Sequence, residues 1–442
     1  MIVDVIGAGL AGCEAAWYLA NNGIKVNLYE QKGIKMSPAH KSENFAELVC
    51  SNSLKASRLG SAAGLLKAEM ELLGSLTVWV AKQTAVPAGG ALAVDRDKFS
   101  QLITDKIKTH KNITVKTDIV EQIPRRGAHC ASAPAINNNY TIIATGPLTD
   151  GKLAESIQEI CGDNLSFYDA AAPIVTRESI DMNKAFYGAR YNRGEPDYIN
   201  CPMDKEEYER FYNELIKGET ADLHEFDVYE GCMPIEVMAK RGVDTIRYGP
   251  LKPVGLRDPK TGHRPWAVVQ LRTENNANKL YNLVGFQTNL KFGEQKRIFS
   301  LIPALNNAEF VRYGVMHRNT FINSPKFLHP TFATRNDPKL FFAGQITGVE
   351  GYMESAMSGI IAAMNVYRTI KNKEPFIPPQ TTMCGALCKY ISDESVTKFQ
   401  PMGANFGILP PLSVQIRNKQ ERYQALGERG IKDMMQVITN SE

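Results

Sequence analysis

The sequence predicts an α/β protein with a doubly wound, mostly parallel sheet. Three observations carry that prediction: a strand–glycine turn–helix–strand run within the first thirty residues, a second strand–glycine–helix run beginning near Lys339, and a sharp change of composition between them. With 442 residues, 43% hydrophobic and 22% charged, the chain has material for two or three domains with sizeable cores, and disorder is excluded. The net charge of only +4 excludes a histone-like or acidic-tail protein but allows a local basic face.

The first element is the β-branched run Ile2–Ile6, which enters Gly7-Ala8-Gly9-Leu10-Ala11-Gly12 and then a helical stretch to Asn22, closed by Gly23. Ile24, Val26 and Leu28 then alternate as a second strand ending at Glu30. This is the Rossmann-like βαβ fingerprint in its proper context. Gly7 permits the tight turn, Gly9 lets the backbone approach a pyrophosphate, and Gly12 lets the helix pack closely; the free N–H groups of the helix receive the phosphate. Glu30 is placed to accept hydrogen bonds from a ribose diol.

Next, Phe45 to Leu54 carries Cys50 ahead of Ser51, Asn52 and Ser53, all good helix N-cap types, so a helix is expected to start just after this cysteine. Thr141–Gly146 is a short buried strand running into a glycine turn, and Lys339–Gln345 is another, with Gly344 at its end and a helix over Ser355–Tyr367 behind it. Such late strand–glycine–helix elements look like those of the large FAD-binding oxidoreductases, and they favour FAD over NAD as the bound dinucleotide. No second Gly-x-Gly-x-x-Gly follows a strand, so a nicotinamide is expected to visit without its own Rossmann domain.

Between these elements the charge is segregated. Asp204–Glu230 holds ten acids against three bases, whereas Ile235–Arg272 holds eight bases against three acids, interleaved with Pro250, Gly255, Pro259, Gly262 and Trp266. A basic loop region suits a polyanionic substrate such as RNA. A solvated, salt-bridged face explains the same charges, and charge alone leaves both readings open. Between them stands Cys232, ahead of Pro234 as first helical residue and Gly242 as stop, where a helix N-terminus would favour the thiolate. Composition alone favours a buried, inert cysteine at both 50 and 232. Eight irregularly spaced cysteines without a Cys-x-x-Cys pair argue against a disulfide scaffold and a zinc ribbon; Cys384 and Cys388, four apart but without nearby histidines, make no metal site. Lys371–Pro379 reads as a linker into a short C-terminal segment. No run of 18 apolar residues and no signal-peptide start occur, so a cytoplasmic protein with no membrane partner is expected.

Several long segments together resemble one family. They are Val5–Gly12, Phe45–Leu54, Val86–Arg96, Ala144–Leu148, Phe342–Tyr352 and Phe399–Met402 with Asn405–Gly407, spread over essentially the whole chain. The family is that of the bacterial folate- and FAD-dependent tRNA (uracil-C5) methyltransferases. The resemblance implies a discontinuous FAD-binding domain, 1–178 and 336–442, with an inserted α+β substrate domain over 179–335. It implies 5,10-methylenetetrahydrofolate as carbon donor, NADH or NADPH as electron donor, and the T-loop uridine of tRNA as substrate. It assigns Cys232 as the nucleophile at uracil C6 and Cys50 as the base at C5, and it places Gly7, Ala8, Gly9, Leu10, Ala11, Gly12, Glu30, Gly146, Gly344, Gly351 and Tyr352 around the flavin, with no metal. Cys13 stands where the family has a small residue such as serine. The same chemistry on a ribosomal RNA uridine remains an alternative, as does a different flavin-dependent tRNA uridine modification, although the larger enzymes of that second kind carry a C-terminal helical region for which this chain lacks the length.

Overall fold

Runs of β-branched residues separated by glycine turns and helices pair in register as a parallel sheet. In the computed structural model, which describes all residues except 38, 124–138, 163–164, 171, 193–194, 222–232, 275–277, 315, 398 and 442, this sheet has the order β16–β7–β1–β2–β6. Its strands are Leu340–Phe342, Tyr140–Ile143, Ile2–Ile6, Lys25–Glu30 and Ile113–Thr117. Val5 lies between Leu28 and Ile142, and Ile142 in turn lies beside Phe341. Val5, Leu28 and Ile142 are fully buried, as expected of strands covered on both faces. The central position of β1 brings three glycine turns to one edge: Gly7 after β1, Gly146 after β7 and Gly344 after β16. The carboxyl edge of a parallel sheet is where such folds bind ligands.

The helix after β1 spans Leu10–Asn21, and the late helix spans Tyr352–Ile370. They cross with no room for a side chain at the contact: a Cβ on Gly359 would sit 2.1 Å from the Ala11 carbonyl oxygen. A Cβ on Gly12 would lie 1.8 Å from the Gly7 carbonyl oxygen, so this glycine packs the helix against its own entry turn. Both helix N-termini therefore open at the same sheet edge.

The second sheet is antiparallel, in the order β10–β11–β12–β13–β9–β14, with strands Phe186–Tyr187, Ile199–Met203, Ala267–Thr273, Leu280–Leu283, Ile174–Thr176 and Phe310–Arg312. It has its own core, which includes Val175, Phe211, Leu271, Phe286 and Phe299. The acidic stretch begins as helix Lys205–Lys217, started by a capping box between Asp204 and Glu207. Tyr208, Phe211 and Leu215 are its buried stripe, so its acids form the wet face of an amphipathic helix. Two smaller sheets complete the architecture. β8 (Leu165–Ala170) pairs antiparallel with β15 (Met316–Phe321), and β5 (Ala91–Val94) lies between β3 (Ser53–Ala56) and β4 (Ala85–Val86).

Residues 371–379 are irregular but not a loose linker. Phe376 is buried, and Asn365 both donates to the Phe376 carbonyl and accepts from its N–H. The C-terminal helices Met383–Ser392 and Lys419–Thr439 pack on helix Ala62–Leu72. Among the described residues no helix is long and apolar enough to cross a membrane.

Candidate functional site

A cleft of about 450 Å³ opens at the carboxyl edge of the parallel sheet, with Gly7, Gly9, Glu30, Gly146, Gly344 and Tyr352 in its wall. Leu10 and Ala11 line it as well, while Gly12 sits behind the turn. Gly7, Gly146, Gly344 and Gly351 have φ of +99°, +75°, +86° and +125°, which side-chain-bearing residues rarely adopt. Gly9 differs: its φ is −71°, and a Cβ there would meet nothing within 4 Å. Its bare backbone faces open cleft, which is what close approach of a pyrophosphate to the helix N-terminus requires. Glu30 ends β2 with one carboxylate oxygen accepting from Ala8 N–H at 2.8 Å and the other from Lys32 N–H at 2.9 Å. Each oxygen keeps a lone pair for a ribose hydroxyl. The cradle thus fits an extended dinucleotide between two helix N-termini.

Cys50 stands at this cleft, between Val49, which lines it, and the Tyr352 hydroxyl. No helix starts after it. Ser53–Ala56 is strand β3 instead, because two of the three side chains expected to cap a helix, Ser51 and Asn52, are engaged from far along the chain. Asn52 donates to the carbonyls of Val94 and Thr273 at 3.0 and 2.9 Å, and Arg272 donates to Asn52 Oδ1 at 3.0 Å and to Ser51 Oγ at 2.9 Å. Arg272, counted above with the basic stretch, is buried and is not part of a solvated basic face.

Four side chains from other elements hold residues 48–52 one by one. Arg96, at the start of helix Arg96–Lys108, donates to the Leu48 carbonyl at 3.0 Å and pairs with Glu274 at 2.6 Å. Arg312 on β14 donates to the Val49 carbonyl. The Tyr352 hydroxyl accepts from the amides of Cys50 and Ser51 at 2.8 and 3.1 Å, and it lies 2.9 Å from Cys50 Sγ. Arg272 on β12 completes the set. The second sheet thus supplies two arginines that hold the cysteine loop ahead of β3. The surroundings are cationic: burial, with Arg312 and Arg96 nearby, lowers the Lys41 ammonium from its ordinary value, and burial pushes the Tyr352 phenol well up. Sequence reasoning missed Arg96, Glu274 and Arg312, whose roles depend on contacts across the fold and leave no local pattern.

The buried Arg96–Glu274 pair predicts a large stability effect. Arg96→Met strands the Glu274 carboxylate, whose side chain is only 4% exposed, and is expected to cost about 3–5 kcal/mol. The double variant with Glu274→Leu should recover much of that loss in a denaturant titration.

Cys232 lies outside the described residues. The helix after it is Ile235–Lys240 with Pro234 as N-cap, one residue later than the sequence suggested. It is anchored by Glu236, a buried carboxylate accepting from Asn289 N–H and Thr288 Oγ at 2.8 Å each, and by Ile235 N–H to the Gln287 carbonyl. Burial raises the Glu236 carboxyl above its ordinary value. Among the described residues no group of three His, Cys, Asp or Glu side chains is arranged to hold a metal, and Cys384 and Cys388 are buried in helix Met383–Ser392.

The central β1, the open glycine turn and the paired helix N-termini define a dinucleotide-binding α/β protein. Residues 2–374 match the family model described as glucose inhibited division protein A. A protein of Acetivibrio thermocellus named methylenetetrahydrofolate--tRNA-(uracil-5-)-methyltransferase TrmFO is 56% identical over 441 residues, 99% of this chain and 98% of that protein. One of the same name from Ligilactobacillus salivarius is 55% identical over 433 residues, 97% of this chain and 96% of its own. The chain belongs to this methyltransferase family. Among solved structures, the Aquifex aeolicus GidA form I crystal superposes with a TM-score of 0.69 at 18% identity, covering 99% of this chain and 78% of that one, a likeness of fold.

Proposed function

We propose that the chain methylates C5 of the T-loop uridine in tRNA, with carbon from 5,10-methylenetetrahydrofolate, electrons from NADH or NADPH through FAD, Cys232 as nucleophile and Cys50 as base. The observation that carries this reading is a thiol, Cys50, held by Tyr352 at the wall of a dinucleotide cleft and ringed by cations. Gly7, Gly9, Glu30, Gly146 and Gly344 would hold the FAD; Gly351, as N-cap of helix Tyr352–Ile370, and Tyr352 would border its ring. Bound and reduced, FAD supplies the electron pair that converts a one-carbon unit from the methylene to the methyl level.

The chain's own residues do the rest. Uracil C5 is a poor nucleophile until the Cys232 thiolate adds to C6, when the C5–C6 π pair moves onto C5 and the O4 carbonyl. Once C5 has bonded to the one-carbon unit, its proton must leave, and Cys50 takes it. Loss of that proton drives the carrier nitrogen off the one-carbon unit and leaves an exocyclic methylene on C5; as the hydride reduces that carbon to methyl, the π pair returns to C5–C6 and the Cys232 sulfur is expelled from C6. We assign the domain that binds FAD to both ends of the chain and the substrate domain to the insert read from the sequence as 179–335, with its start moved back to about 172 and its end drawn in to about 312, the span of the second core and sheet. Exposed Lys240, Arg241, Lys252, Arg257, Lys260 and Arg264 stand at the end of helix Ile235–Lys240 and in the chain that follows it, and suit RNA phosphates. The enzyme would work in the cytoplasm, where its RNA substrate is.

The test is methyl transfer to unmodified tRNA and ribosomal RNA transcripts offered separately, with methylenetetrahydrofolate and NADPH. Methylation of tRNA alone, dependent on the folate, is the expected result. Methylation of ribosomal RNA alone would move the same chemistry to the other RNA, and dependence on S-adenosylmethionine would overturn the reading.

A further inference from the structure

We propose that Tyr352 is a positioning residue for the base: its phenolic proton is fixed on the Cys50 sulfur, which makes the sulfur an acceptor poised to take a proton from the substrate. The inference rests on Cys50 as base in the reading above. The polarity of the contact follows from counting donors. The Tyr352 oxygen is approached by the N–H of Cys50 at 2.8 Å and by the N–H of Ser51 at 3.1 Å. Amide N–H groups can only donate, so both of the oxygen's lone pairs are occupied. The third close neighbour is Cys50 Sγ at 2.9 Å, and the one remaining role for the hydroxyl there is to donate. Were the thiol the donor, the oxygen would accept three bonds while its own proton had no partner.

A sulfur that accepts from O–H is stabilised most when it is a thiolate, since charge-assisted hydrogen bonds are about twice as strong as neutral ones. The other charged groups around it come from separate elements. Arg96 and Arg312 are both electrostatically coupled to Cys50. Glu274 partly offsets Arg96, and Arg272 reaches the neighbouring Ser51. When the C5–H bond breaks, its proton passes to the sulfur to form S–H, and the bonding pair stays with the uracil. The phenol that had donated to the thiolate then holds the thiol in place without moving.

The test uses the full-length, flavin-loaded protein and follows alkylation of Cys50 by iodoacetamide against pH, read on the Cys50 peptide by mass spectrometry. Tyr352→Phe keeps the ring and removes the hydroxyl, which is both the donor to Cys50 Sγ and the acceptor of the Cys50 and Ser51 N–H groups. Its alkylation midpoint is expected to move up by about one pH unit, equivalent to a tenfold loss of thiolate at a fixed pH below the midpoint. Replacing Tyr352 with 2,3-difluorotyrosine, a stronger donor of nearly the same shape, should move the midpoint down, and it guards against a folding defect in the phenylalanine variant. A purely structural tyrosine would change stability and leave both midpoints at the wild-type value, and that result would overturn the proposal. Failure of wild-type protein to methylate any RNA would instead overturn the functional reading, because the alkylation profile needs no RNA or folate.

Discussion

Cys232→Ala is expected to abolish release of tritium from C5-labelled uridine in tRNA, by a factor of about 10⁴ or more, while FAD binding and the melting temperature stay at wild-type values. The size follows from the chemistry. Without a sulfur on C6 there is no enolate to make C5 nucleophilic, so nothing bonds to C5 and its hydrogen never becomes acidic. Cys50→Ala should behave differently. Loss of a general base costs about 10²–10⁴ in rate, but C6 addition still occurs, so a covalent protein–RNA complex should accumulate and survive a denaturing gel. In Cys232→Ala no such complex can form. Equal tritium release by Cys232→Ala and wild type would sink the assignment of nucleophile, and the covalent complex appearing in Cys232→Ala would exchange the two roles.

The parts of this molecule that were legible in its sequence are those whose physics is local. Gly7, Gly9 and Gly12 state a turn, an open backbone and a close approach within six residues, and the alternation of Ile24, Val26 and Leu28 states the next strand. The Cys50 loop was not legible in the same way. Ser51 and Asn52 are good helix caps by residue type, yet Arg272, more than two hundred residues on, takes both side chains and the chain continues as a strand. Arg272 itself looked like one charge in a basic run. Its burial follows from its place near the end of β12, where the pleat turns it toward the cysteine loop. Gly359 gave no signal either, since a lone glycine inside a helix acquires meaning only when another backbone lies against it.

Two glycine substitutions separate cofactor binding from folding, and their opposite signatures follow from what each Cβ would meet. Gly9→Ala should leave the apoprotein as stable as wild type: its φ of −71° suits alanine, and the space around the new methyl is empty. That same space is where the pyrophosphate must approach the helix N-terminus, so FAD binding should weaken by at least about tenfold, roughly the 1.4 kcal/mol of one lost close contact. Gly359→Ala should do the reverse first. Its methyl would sit 2.1 Å from the Ala11 carbonyl oxygen, backbone that cannot rotate away, so helices Leu10–Asn21 and Tyr352–Ile370 must separate. Forced overpacking of this kind costs about 1–3 kcal/mol or more, a sizeable share of the 5–15 kcal/mol that holds an ordinary domain folded. The apoprotein should melt several degrees lower, and FAD should then bind weakly because both helix N-termini have shifted. Melting of the two apoproteins beside flavin-fluorescence titrations distinguishes the cases. A Gly9→Ala protein that binds FAD as wild type does would mean that the phosphates do not pass over this turn, and a Gly359→Ala protein of unchanged stability would mean that the two helices have slack the geometry does not show.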